Sequence, residues 1–242
     1  MLSRNIQEPF VFKAQRLTVL FVVFLTTLLS GISQAYAGVA LGTTRVVYPA
    51  GQKQVSLGIS NNDEKSTYLI QSWIDNTDGA KTNSFVITPP LFVMKGKKEN
   101  TLRIIDGTNN SLPADKETLL WVNVKAIPSV DKAMQDKNTL QLAIISRIKM
   151  FYRPKGLAMA PEKAPASLQF SRSGNTLTVK NPSPYYVTVT NVISNKKELK
   201  SFMVPPMGSI TTPIPAGASN AFSYQTINDF GALTPAIQVN VN

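Results

Sequence analysis

The chain has 242 residues, with 25 Lys and Arg against 14 Asp and Glu, a formal net charge of +11, and neither histidine nor cysteine. Without those two residue types it has no Ser-His-Asp or Cys-His nucleophilic set, lacks the commonest zinc ligands, and can form no disulfide. It also carries no glycine motif for a phosphate or a dinucleotide; paired carboxylates could still act without one, but its acids are spread thinly with no pair set apart by its context, so no cofactor and no enzymatic activity are expected. Residues 1–37 read as a secretory signal peptide: cations at Arg4, Lys13 and Arg16, an apolar run over 17–29, and the small-x-small site Ala35-Tyr36-Ala37, with cleavage before Gly38. The apolar run is short of the ~20 residues that span a bilayer, so no membrane insertion is expected. From Gly38 the chain reads as short strands: an extended segment over 39–48, then 54–60, 67–74, 85–87, 91–94, 101–105 and 119–126. Polar turns such as Asn61-Asn62-Asp63-Glu64 and Asn76-Thr77-Asp78-Gly79 separate them. Period-two alternation rich in Val, Ile, Thr and aromatics indicates a β-sandwich, and no sustained 3.6-residue period predicts a helix.

The stretch 138–154, N-T-L-Q-L-A-I-I-S-R-I-K-M-F-Y-R-P, carries the most information. Leu140, Leu142 and Ile144 stand two apart and would line one face of a strand. One reading is a central strand, apolar because both its faces are buried. The other is a strand that offers an apolar row and the cations Arg147 and Lys149 to another protein. After it Pro154, Gly156, Pro161 and Pro165 fall close together, as in a linker. A second strand-rich block follows: 167–170 and 176–179 around the hairpin signal Ser173-Gly174-Asn175, then 185–192, 203–207, 222–227 and 236–241. Residues 196–200 read as a solvated connection. The expected organisation is a signal peptide over 1–37, a first domain over 38–157 and a second over 158–242.

Several stretches together resemble one family. L-P-A-D-K-E-T-L-L-W-V-N-V-K-A-I-P at 112–128, N-P-S-P-Y-Y-V-T-V at 181–189 and I-N-D-F-G at 227–231 are similar to motifs of the PapD-like periplasmic chaperones of the chaperone–usher pathway. So are the start G-V-A-L-G-T-T-R-V-V-Y-P and the run R-I-K-M-F-Y-R-P. The nearest resemblance is to type 1 fimbrial chaperones, and the short connection between Pro128 and Thr139 resembles the subfamily with a short F1–G1 loop. The resemblance implies an all-β protein of two immunoglobulin-like sandwiches in a boomerang. It implies pilus subunits and an outer-membrane usher as partners, and action without a nucleotide. It also implies that the G1 strand, through Leu140, Leu142 and Ile144, fills the gap in a subunit that lacks its last strand. Arg45 and Lys149 match the pair that holds the subunit's C-terminal carboxylate; as isolated residues they would read as solvated cations. Lys149 has the opposite strand parity to the leucine row, so either it faces another way or a bulge intervenes. Glu117, Arg153 and Asp229 match an interdomain salt-bridge network, while Trp73, Trp121 and Tyr186 are expected in the core.

Because an apolar edge strand invites pairing, self-association of the free chain is also expected. A pilus subunit or adhesin is the alternative; two blocks and no cysteine argue against it. A nucleic-acid binder would cluster its cations with stacking aromatics. Here the cations are scattered, so no nucleic-acid partner is expected.

Overall fold

The computed structural model describes residues 38–130 and 140–241. The expected signal peptide, and most of the connection between Pro128 and Thr139, lie outside the described residues. Two sandwiches follow one another along the chain. In the first, one sheet orders β1 (Val39–Leu41), β3 (Gln54–Asn61), β7 (Glu99–Asp106) and β5 (Phe85–Thr88). The other orders β2 (Arg45–Pro49), β9 (Ile144–Arg153), β8 (Thr118–Pro128), β4 (Tyr68–Asp75) and β6 (Leu91–Met94). Their inner faces meet in a core that includes Tyr48, Leu57, Ile70, Leu102, Ile104, Leu120, Val122 and Met150. Each such side chain, once fully buried, contributes ~1.5–3 kcal/mol. Tyr48, Phe85 and Tyr152 pack ring against ring at one end of it.

The second sandwich sets β10 (Gln169–Ser173), β11 (Thr176–Asn181) and β15 (Gly208–Pro213) against a sheet ordered β13 (Lys197–Leu199), β12 (Val187–Ser194), β16 (Ala221–Thr226) and β17 (Ile237–Asn240). β14 (Phe202–Val204) also pairs with β12. Leu177, Val179, Val189, Val192, Val204, Phe222 and Tyr224 fill its core. The expected turn at Ser173-Gly174-Asn175 joins β10 to β11, with Ser173 opposite Thr176 and Gly174 at φ +57°. Within the Pro-rich linker lie one 3-10 turn (Pro161–Lys163) and one short helix (Ala164–Ser167).

Two expectations are corrected. The segment over 39–48 is not one strand. β1 pairs with β3 in one sheet and β2 with β9 in the other, so the chain crosses between sheets at Gly42-Thr43-Thr44. Gly42 N donates to Gly58 O and the Thr43 hydroxyl to Arg45 O, and these two bonds fix the crossing. The supposed solvated connection at 196–200 contains β13 (Lys197–Leu199). Asn195 and Lys196 both take positive φ, the geometry of a two-residue hairpin turn, and return the chain onto β12.

Candidate functional site

β9 changes character along its length. From Lys149 to Arg153 it runs between β2 and β8, with Met150 and Tyr152 in the core. From Ile144 to Ile148 it pairs with β8 on one side alone, because β2 begins only at Arg45. Among the described residues, no strand pairs with that half on its other edge. Ile144 is 70 % exposed, Leu142 69 % and Leu140 85 %, which excludes a strand buried on both faces at this end. Leu140 and Leu142 are not themselves in the strand. The ladder with β8 ends at the pair Ala126–Ile144. Two residues further on, Pro128 has no N–H to give, so the pairing cannot continue. Instead the Gln141 side-chain amide donates to Pro128 O at 2.7 Å.

The pairing from Ile144 to Tyr152 keeps one register, with no bulge. The parity question is thereby settled: Lys149 lies on the face opposite Ile144, Ile148 and Met150. Arg45 is its Cα partner across the parallel β2–β9 pair, so both cations lie on the same outer face. Arg45 is buried. Its Nη1 donates to Ile227 O of the second sandwich at 3.1 Å, its guanidinium carbon lies 5.8 Å from the Phe151 ring centroid, and its Nε has no partner. Burial lowers the Arg45 pKa, an effect that Asp229 and Glu117 partly offset. The Lys149 pKa is lowered by burial and then by Arg45 itself. Two cations side by side, Arg45 buried and Lys149 partly so, each with a lowered pKa, form a site that an anion would relieve.

Below this pair the two sandwiches are joined by charge. Arg153 Nε donates to Glu117 Oε1 at 2.8 Å, and Nη1 and Nη2 donate to Asp229 at 2.7 and 2.8 Å. Glu117 Oε2 accepts the N–H of Tyr186, and Glu117 N donates to Pro184 O. The motif around Glu117 therefore docks directly onto N-P-S-P-Y-Y. Within that motif Asn181 is fully buried; it donates to Tyr185 O and Pro205 O and accepts from the Ser183 hydroxyl, which holds Tyr185 and Tyr186 in place. Gly231 of I-N-D-F-G takes φ +83°, and a Cβ there would collide with the Thr44 hydroxyl. Glycine thus lets the second sandwich close onto the crossing segment of the first. Burial raises the Glu117 pKa against the opposing pull of Arg153 and the Tyr186 N–H. Burial also works against the Arg153 charge, but its bonds to Asp229 and Glu117 outweigh this and raise its pKa.

This network predicts an asymmetry. Arg153→Ala leaves Glu117, 2 % exposed at its side chain, as a buried acid without its cation, and should cost ~3–5 kcal/mol. Asp229→Asn alters a side chain that is 40 % exposed and should cost well under half of that. Equal midpoints in urea unfolding would refute the assignment of Glu117 as the buried end.

Trp73, Trp121 and Tyr186, expected in the core, are only partly buried. All three avoid the inner faces. Tyr186 packs on Phe151 at the domain junction, ring centroids 5.8 Å apart. Trp121 lies on the outer face of β8, with the guanidinium of Arg147 at 4.5 Å over its ring. For Trp121 the signal was present: Leu120, Val122 and Val124 alternate onto the inner face, so Trp121, one residue out of phase, faces outward.

Residues 38–158 match the family described as "Pili and flagellar-assembly chaperone, PapD N-terminal domain", and residues 163–238 match "Pili assembly chaperone PapD, C-terminal domain". The chain is 58 % identical over 214 residues to the chaperone protein FimC of Escherichia coli strain K12, covering 88 % of both chains. Among solved structures, the periplasmic chaperone SfaE is 56 % identical with a TM-score of 0.74, covering 84 % of this chain and 99 % of the other. The SafB chaperone, solved in complex with the Salmonella enterica SafA pilin, gives 30 % identity and a TM-score of 0.75 over 86 % of this chain and 98 % of the other.

Proposed function

The chain belongs to the PapD-like pilus-assembly chaperones, and we propose that it caps a pilus subunit by lending it the exposed end of β9. It is a chaperone for pilus subunits and not itself a subunit. The observation that carries the mode of action is the half-open edge of β9 running into the Arg45–Lys149 pair. A client's terminal carboxylate satisfies the two cations. With its end fixed there, the client strand can occupy the vacant edge only by running in the direction of β9, in line with β2. Ile144, with Leu142 and Leu140 continuing the strand, then fills the client's open groove. Burying the three gives on the order of 5–9 kcal/mol before entropic losses. No nucleotide enters this scheme: burial in the client's incomplete sandwich drives it.

The remaining assignments rest on family membership. The sandwiches are taken as residues 38–157 and 158–242, joined by the Glu117–Arg153–Asp229 network that fixes their angle. Residues 1–37 direct export to the periplasm and are removed there. Among the described residues no helix is long and apolar enough to cross a membrane. The client is passed on to an outer-membrane usher. One preparation tests this whole reading. The chain isolated from periplasmic extract should begin Gly-Val-Ala-Leu and carry fimbrial subunits identifiable by mass spectrometry. A chain that retains Met1, or one that arrives with no subunit when its own fimbrial subunits are co-expressed, would refute it.

A further inference from the structure

A cavity of about 330 Å³ lies at the junction of the sandwiches, lined by neither Arg45 nor Lys149. Each part of the junction contributes to it: Arg153 from β9, Glu162 from the linker, Tyr185 from N-P-S-P-Y-Y, and Asp229 and Phe230 from I-N-D-F-G. Its size is at the small end of the range in which proteins hold small organic molecules. Its charges are mostly negative. The four charged groups that act on the Tyr185 hydroxyl are one cation, Arg153, and three acids, Glu117, Asp229 and Glu162. Arg153 is already engaged by Glu117 and by both oxygens of Asp229. Glu162 is exposed and makes no ion pair among the described residues.

Phe230 lines the cavity and is yet 90 % exposed, so it stands at the opening. The turn that carries it is closely bonded. Asn228 Oδ1 accepts the N–H groups of Phe230 and Ala232, both at 3.0 Å, and Asn228 O accepts that of Gly231. An apolar ring held in water by a fixed turn gains from being covered. The same cavity already seats one cation on a ring, since the Arg153 guanidinium lies 5.1 Å from the Tyr185 centroid. These features choose among ligand classes. The three acids exclude an anion. A neutral apolar molecule would leave Glu162 without a partner. An inorganic metal ion has no ligand set, because among the described residues no three His, Cys, Asp or Glu side chains come together to hold one. We propose that the cavity binds a small organic ammonium ion with an apolar body, its charge facing Glu162 and Asp229 and its body against Phe230 and Tyr185. Since the lining comes from the linker and from both sandwiches, the bound ion ties the junction and stabilises the folded chain by mass action. No part of the strand-donation reading enters this proposal.

The test uses the whole mature chain, without client, and benzyltrimethylammonium as the probe. Benzyl alcohol is its neutral counterpart and phenylacetate its anionic one. Binding is read from shifts of the aromatic proton resonances during titration, and from the thermal unfolding midpoint. The ammonium probe should bind at least fivefold more tightly than benzyl alcohol and raise the midpoint, and phenylacetate should do neither. Phe230→Leu keeps an apolar side chain but removes the ring, and should weaken the ammonium probe about fivefold, the loss of one partly desolvated cation–π contact. Glu162→Gln removes an exposed charge and should weaken it about threefold. Both side chains are exposed, so both variants should fold as wild type does. Neither should change the affinity for benzyl alcohol by as much, and that difference in selectivity is a readout that a merely structural role would not move. Equal affinity for the ammonium probe and the alcohol overturns the proposal in favour of a plain apolar site. Ammonium binding that neither variant alters overturns the location. No saturable shift at any probe concentration the folded chain withstands overturns the site altogether.

Discussion

Replacing either Arg45 or Lys149 with alanine is expected to abolish stable subunit complexes while leaving the chaperone folded. Charge-assisted hydrogen bonds shielded from water contribute ~1.5–3 kcal/mol each, so either loss lowers affinity by at least tenfold. The fixed end also sets the register of the donated row, and a slip of one residue would turn that row away from its pockets. Folding should survive because neither cation has an acid partner to strand, and removing Arg45 also relieves Lys149, whose pKa it helps to lower. Arg153 is the contrasting case, since its loss strands Glu117. The double variant should be little worse than either single one, as both act on one carboxylate. Amidating a client's C-terminal peptide should weaken wild-type binding and barely affect the double variant, as read by calorimetry. Unchanged affinity for the amide would show that these cations serve some other purpose.

Leu142→Arg is expected to have a comparable effect by a different route. Leu142 is 69 % exposed in the free chain, so a cation there costs the fold little. In the complex it would enter an apolar pocket, where an unpaired charge is several kcal/mol unfavourable. Subunit capture should fail with the chaperone's unfolding midpoint unchanged. The same substitution should abolish any concentration-dependent association of the free chain in sedimentation, since the exposed row is what invites a second copy. A variant that unfolds would return Leu142 to the status of an ordinary core residue.

Much of this was legible in the sequence, for specific reasons. Alternation marks strands, and Leu120, Val122 and Val124 of β8 alternate because one face of the sheet meets a core. The Glu117–Arg153–Asp229 network was legible only through family motifs, as nothing local links residues 36 and 76 apart. The crossing at Gly42-Thr43-Thr44 was not legible: a strand that changes sheets keeps its alternation on both sides of the break. β13 was hidden by Lys197 and Glu198, which are compatible with a solvated strand as well as with a loop. The start of β9 at Ile144 depends on its neighbour, since Pro128 ends a ladder that residues 140–143 would otherwise have joined. The stack of Arg147 on Trp121 depends on a cross-strand diagonal, and only the register of β8 with β9 reveals it.

The crossing between sheets has one more effect. Because β2 already fills the lower half of the track beside β9, it stands as an end-stop to anything laid along the upper half. An incoming strand can be of any composition upstream, but its last residue must halt where Arg45 begins. Under the proposed anchor, the chaperone would measure where a polypeptide finishes. On this geometry a subunit lengthened by even a few residues at its C-terminus runs into the chaperone's own backbone and is turned away, however well its groove fits the leucines.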